Sequence, residues 1–120
     1  MRYMLLIYNC YRPEEGTPER DARVAEIRAF TQRCIDDGVF LAADPLHTVE
    51  TATTVRVRDG EALVTDGPFA ETAEHLGGYF ILDCTDLDQA LKYAAHCPMA
   101  REGSVEVRPI LEVVLPGRTG

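Results

Sequence analysis

The 120-residue chain has no tryptophan and a single lysine, Lys92, and its 12 basic residues are outnumbered by 20 acidic ones, for a net charge of -8. Binding to a phosphate backbone needs clustered Lys and Arg, and a surface of this sign repels polyanions. Nucleic acid and anionic membrane surfaces are therefore excluded as expected partners. No apolar run approaches the roughly 18 residues of a membrane span. The apolar start at residues 3–8 lacks the small-residue cleavage site of a secretory leader. A cytoplasmic protein is expected. None of the four cysteines, Cys10, Cys34, Cys84 and Cys97, forms a C-x-x-C pair, so no structural zinc site and no metal is expected. They read as free thiols packed as small hydrophobes.

What is present is the composition of one folded domain, with 46% hydrophobic and 27% charged residues. Residues 1–115 are expected to form it, with 116–120 as a C-terminal tail. Residues 2–8 are a dense apolar and aromatic run, too short for a helix, and predict a central strand. Thr17-Pro18 opens a helix, with Thr as the N-cap, Pro in the first turn and Glu19 and Asp21 at the positive end of the dipole. Val24, Ile27, Phe30, Cys34 and Ile35 repeat at helical spacing, and Gly38 stops the helix. A short strand follows at 39–43.

Residues 53–58 alternate as a strand, and Asp59-Gly60 is a strong two-residue hairpin turn returning through 61–65. Residues 79–84 form another apolar strand. Asp86, with Gln89 three positions on, caps a second helix that ends at Pro98. Residues 104–115 are mostly extended. The order β-α-β, hairpin, β-α-β predicts an α+β fold: a ferredoxin-like split βαβ arrangement, its antiparallel sheet carrying both helices on one face. The other sheet face then needs a cover, and an isologous dimer supplies one.

Residues 66–79, DGPFAETAEHLGGY, concentrate the chemistry. Three carboxylates, Asp66, Glu71 and Glu74, and one imidazole, His75, fall within ten residues, closed by Gly77-Gly78. A helical turn over 70–76 would put Glu71, Glu74 and His75 on one face. Asp66 is the candidate general base, with Glu71 or His75 as the second proton carrier; Asp66 can equally be a turn-former. Glu74, His47 and Arg56 are candidate substrate-binding residues. Arg56 can grip a carboxylate or phosphate bidentately, or pair across the hairpin with Glu61.

This segment, the opening strand 1–8, the strand 52–56 and the ending GSVEVRP at 103–109 together resemble the YCII-related family, in its DGPF branch. The resemblance covers nearly the whole chain. It implies a ferredoxin-like fold pairing as a dimeric α/β barrel, and it implies no established reaction. Family members are regarded as enzymes because polar residues line a cleft, and they often occur near or fused to sigma factors. Two positions depart from the branch pattern: Ala73 stands in place of Lys, and His75 in place of Gln. The expectation is a homodimer that binds a small molecule and does acid–base chemistry without an organic cofactor. The alternative is a non-enzymatic ligand-sensing or partner-binding module tied to sigma-factor regulation.

Overall fold

The computed structural model describes residues 1–69 and 73–117. A four-stranded antiparallel sheet is built from β1 (Arg2–Tyr8), β2 (Phe40–Pro45), β5 (Leu76–Asp83) and β6 (Ser104–Pro109), in the order β2-β5-β1-β6. A separate two-stranded ribbon, β3 (Thr53–Arg58) and β4 (Glu61–Asp66), is inserted between β2 and β5. Helices α1 (Pro18–Asp36) and α2 (Leu87–His96) complete the two βαβ units. Without the ribbon, the strand order is that of the ferredoxin-like fold.

Both helices begin as their sequences dictate. The Thr17 hydroxyl accepts from the Arg20 backbone N–H at 3.2 Å, and the Asp86 carboxylate accepts from Gln89 N–H at 2.9 Å. Each bond satisfies one of the orphan donors of a first turn. The Gln89 side chain reaches back to the Thr85 N–H at 2.7 Å.

The period of two along β1 and β5 sorts their side chains between two faces. Tyr3, Leu5 and Ile7 of β1 and Phe80 and Leu82 of β5 are buried beneath Phe30 and Cys34 of α1 and Ala90, Tyr93 and Ala94 of α2. Phe30 meets Phe80 edge to face, with centroids 5.2 Å apart, the arrangement that ring quadrupoles favour. The opposite face carries Met4, Leu6, Tyr79 and Ile81, all half-buried and aligned by the pairs Met4–Ile81 and Leu6–Tyr79. Tyr3 and Phe80 belong to the helix-covered face. The turn at Pro98–Arg101 is tied to α1 by the ion pairs Arg101–Glu26 and Arg23–Glu102.

Among the described residues, no helix is long and apolar enough to cross a membrane.

Candidate functional site

The site begins at the end of β1. Asn9 takes up the left-handed backbone conformation, φ 54°, which Asn tolerates better than most residues. The chain turns there, and Asn9 is left facing the segment that leads into β5. Its backbone N–H donates to the His75 carbonyl at 2.9 Å, and its side-chain oxygen accepts from the His75 N–H at 2.8 Å. Its side-chain amide donates to the Glu74 carboxylate at 2.6 Å. One asparagine thus fixes both Glu74 and His75. Residues 73–75 are non-helical, with a bend at Ala73, and Leu76 already belongs to β5, so the described part of the envisaged turn over 70–76 is not helical. Pairing with β1 and Asn9 supplies the backbone partners that a helical turn would otherwise have to provide.

Gly77 and Gly78 permit close approach by the neighbouring strands. A Cβ on Gly78 would sit 2.9 Å from the Asp44 carbonyl oxygen and 3.2 Å from the Pro45 Cα, and one on Gly77 would sit 2.8 Å from the Cys10 sulfur. The Gly77 carbonyl accepts from the Leu46 N–H at 2.9 Å and from the Arg12 guanidinium at 2.8 Å. Leu46 and the loop after it are thereby drawn over the end of the sheet. That loop closes with a 3-10 turn at Val49–Thr51, and its last backbone bond, Ala52 N–H to Val49 O, hands the chain to β3.

Between this loop and the Glu74–Leu76 segment lies a cleft of ≈ 660 Å³. Tyr8 of β1 and Leu76 line it from the sheet, His47, Thr48 and Val49 from one wall, and Pro68, Phe69, Glu74 and His75 from the other. Its polar groups are two imidazoles, one carboxylate, one phenol and threonine hydroxyls. Leu46, Val49, Ala52, Pro68, Phe69 and Leu76 supply apolar surface. This is the usual make-up of a small-molecule site: a mostly apolar hollow with a few convergent polar groups.

The electrostatics extend beyond the lining. Hydrogen bonds from the Thr48 side chain and from its own backbone N–H hold the Glu50 carboxyl below the ordinary range, and the charge of His75 adds to this. The Tyr8 phenol is raised by burial first, then by the adjacent Glu106 carboxylate, to which it donates at 3.4 Å. Tyr79, on the open sheet face, donates to Asp44 at 2.8 Å, and that bond raises its phenol.

The structure brings His47, Glu74 and His75 to one cleft. Asp66 ends β4 opposite Thr53 and is not among the described residues lining the cleft. Arg56 does not line it either: its guanidinium stacks 4.9 Å above the Phe69 ring and donates to the Phe69 carbonyl at 3.3 Å. It opposes Leu63, not Glu61, across the ribbon. Glu71 lies outside the described residues. Among the described residues, no three His, Cys, Asp or Glu side chains are grouped to hold a metal ion. Sequence reasoning missed Tyr8, Asn9, Glu50 and Phe69. The one local signal was the Asn at a strand end.

A two-layer ferredoxin-like domain with an inserted ribbon, its cleft built on a DGPF-to-GG segment, defines the class. The profile of the YCII-related domain matches residues 1–114, and the chain belongs to that family. It is 38% identical over 114 residues to an uncharacterised protein of Rhizobium meliloti, a match covering 89% of this chain and 92% of the relative.

Proposed function

We propose that the cleft binds a small organic molecule and that His75 and His47 exchange protons with it. The observation that carries this reading is the convergence of His47, Glu74 and His75, with Tyr8 between the walls, on one cleft of ≈ 660 Å³. Imidazole changes charge near neutral pH and so can both accept and return a proton. The Glu74 carboxylate is held beside His75 by the Asn9 amide. In this reading the base is His75, because Asp66 stands off the lining. Arg56 acts indirectly by holding Phe69 against the cleft. The preferred ligand has an apolar body, matched to Leu46, Val49, Pro68 and Phe69, and a polar end with an exchangeable proton. The four free thiols suit a reducing compartment and support a cytoplasmic setting.

The test is a screen of small carbonyl, phenol and carboxylic acid compounds by amide chemical-shift mapping. A true ligand shifts residues 46–52 and 73–76, and His75→Gln and His47→Ala each weaken its binding by roughly ten-fold, the scale of one lost hydrogen bond to a charged group. Ligands that map only to other surfaces sink the proposal. Binding without turnover of any ligand supports a sensing role in place of catalysis.

A further inference from the structure

A second hollow, of ≈ 480 Å³, opens between α1 and the end of α2 and shares no lining residue with the cleft. Glu26, Phe30 and Arg33 reach it from α1. Their spacing of i, i+4 and i+7 puts them on one helical stripe. His96, the last residue of α2, and Arg101, the last of the following 3-10 turn, reach it from the other side. Its floor is apolar, with Phe30 and Cys97 both buried.

The charged groups on its rim differ in how far they are committed. Arg101 is fixed: its Nη2 donates to the Glu26 carboxylate and its Nε to the Pro98 carbonyl at 3.3 Å. The Arg23–Glu102 ion pair ties the same turn to α1, so the two walls are held in place before any ligand arrives. Those bonds use two of the five N–H donors of a guanidinium, and they neutralise the one carboxylate of the lining. Arg33 is held far more loosely. Its Nε stands 3.8 Å from an Asp37 oxygen, too far for a hydrogen bond, and that same oxygen already accepts the Tyr93 hydroxyl at 2.6 Å. Among the described residues the His96 ring makes no hydrogen bond.

Two guanidiniums and an imidazole thus meet over an apolar floor, on a chain whose net charge is -8. The local balance is opposite in sign to that of the whole surface. A guanidinium fork matches the paired oxygens of a carboxylate or phosphate, and the volume lies in the range of small-molecule sites.

We propose that this hollow is a second binding site, for a small molecule with a carboxylate or phosphate group on an apolar body. Arg33 and His96 hold the oxyanion, Arg101 presents its remaining donors from the opposite wall, and Phe30 and Cys97 receive the apolar body. The site is independent of the proton-exchange reading of the cleft.

The experiment is an NMR titration of the full chain with phenyl phosphate, benzoate, inorganic phosphate and benzyl alcohol. The expected result is saturable shifts at residues 26–33 and 95–101 with phenyl phosphate or benzoate, while residues 46–52 and 73–76 stay still. The tighter of the two names the oxyanion. Inorganic phosphate should bind several-fold more weakly, for want of an apolar body, and benzyl alcohol should give no saturable shift. Arg33→Gln and His96→Gln should each weaken the better ligand by roughly ten-fold, the scale of one lost hydrogen bond to a charged group, with Arg33→Lys in between. Both side chains are exposed, so far-UV circular dichroism should stay at wild-type level. If a variant misfolds, salt decides with the wild type: affinity should fall as sodium chloride rises to about 0.5 M. Affinity independent of salt, shifts spread over arginines elsewhere, inorganic phosphate or benzyl alcohol binding as tightly as the aryl anions, or binding unchanged in Arg33→Gln overturns the proposal.

Discussion

Asn9 and His75 exchange two hydrogen bonds, Asn9 N–H to His75 O at 2.9 Å and His75 N–H to the Asn9 side-chain oxygen at 2.8 Å. They lie 66 residues apart, yet this contact fixes the His75 backbone against the end of β1. Substituting Asn9 by Gly keeps the left-handed backbone accessible and removes only the side-chain bonds. The expected outcome is faster amide exchange at Glu74 and His75 and at least a few-fold weaker ligand binding, with a loss of about 1 kcal/mol or less in global stability because the bonds are exposed. Asn9→Ala should cost more, since it also strains the backbone. Hydrogen exchange and thermal melts of the two variants separate the effects, and equal behaviour would count against the clamp.

Gly78 and Gly77 should differ sharply when changed to Ala. The Gly78 Cβ meets strand backbone, the Asp44 carbonyl oxygen at 2.9 Å, which can yield only by parting β2 from β5. The Gly77 Cβ meets the Cys10 sulfur, the tip of a side chain that can rotate away. Gly78→Ala is expected to lose about 1–3 kcal/mol, the usual cost of overpacking, and Gly77→Ala less. Urea titration of both variants checks the order.

Tyr93 links pH to stability. Its hydroxyl donates to the Asp37 carboxylate at 2.6 Å, and that bond, then burial, pushes the phenol from its ordinary 10.0 up to about 12. Because the folded value is the higher one, the contribution is complete below pH 10 and is lost as the pH rises from 10 to 12. Melting temperatures should fall over that window, and Tyr93→Phe should flatten the fall while lowering stability near neutral pH by about 1–2 kcal/mol. A variant that keeps the wild-type slope would rule out this link.

The cysteines should separate by reactivity. Burial pushes Cys34 up to about 11 and raises Cys84 and Cys97 as well, and the thiolate is the reactive form. All three are buried, while Cys10 is half-exposed. Iodoacetamide at pH 8 is expected to add once quickly, at Cys10, and three more times only after denaturation. Intact mass against time, with peptide mapping of the first adduct, reads the outcome.

Arg56→Gln should loosen Phe69. An exposed cation–π contact is worth roughly 0.5–1 kcal/mol, so overall stability should barely move. The change should instead appear in the Phe69 ring signals and in the affinity of any ligand bound in the cleft.

Local chemistry made much of the fold readable. The caps at Thr17 and Asp86, the period of two in residues 53–58 and the Asp59-Gly60 turn each act within a few residues, and each appears in the structure, the turn with φ of 51° and 79°. The Gly77-Gly78 pair also signalled close approach, although not its partners. The side chains around the cleft were harder to read. Glu50 was hidden because its link to His75 crosses 25 residues, and Tyr8 read only as part of an apolar strand. Arg56 suggested anion binding by its charge, and in the structure its guanidinium lies over the Phe69 ring and donates to the Phe69 carbonyl.

The sequence by itself determined the element order, the helix ends, the hairpin turn and the concentration of ionisable groups in residues 66–78, because those depend on propensity, capping and periodicity over short spans. Only the tertiary structure decided that Glu74 and His75 meet His47 and Tyr8 while Asp66 stands apart. That outcome rests on strand register and on Asn9, contacts between residues far apart in the chain, whose geometry exists only once the sheet has formed.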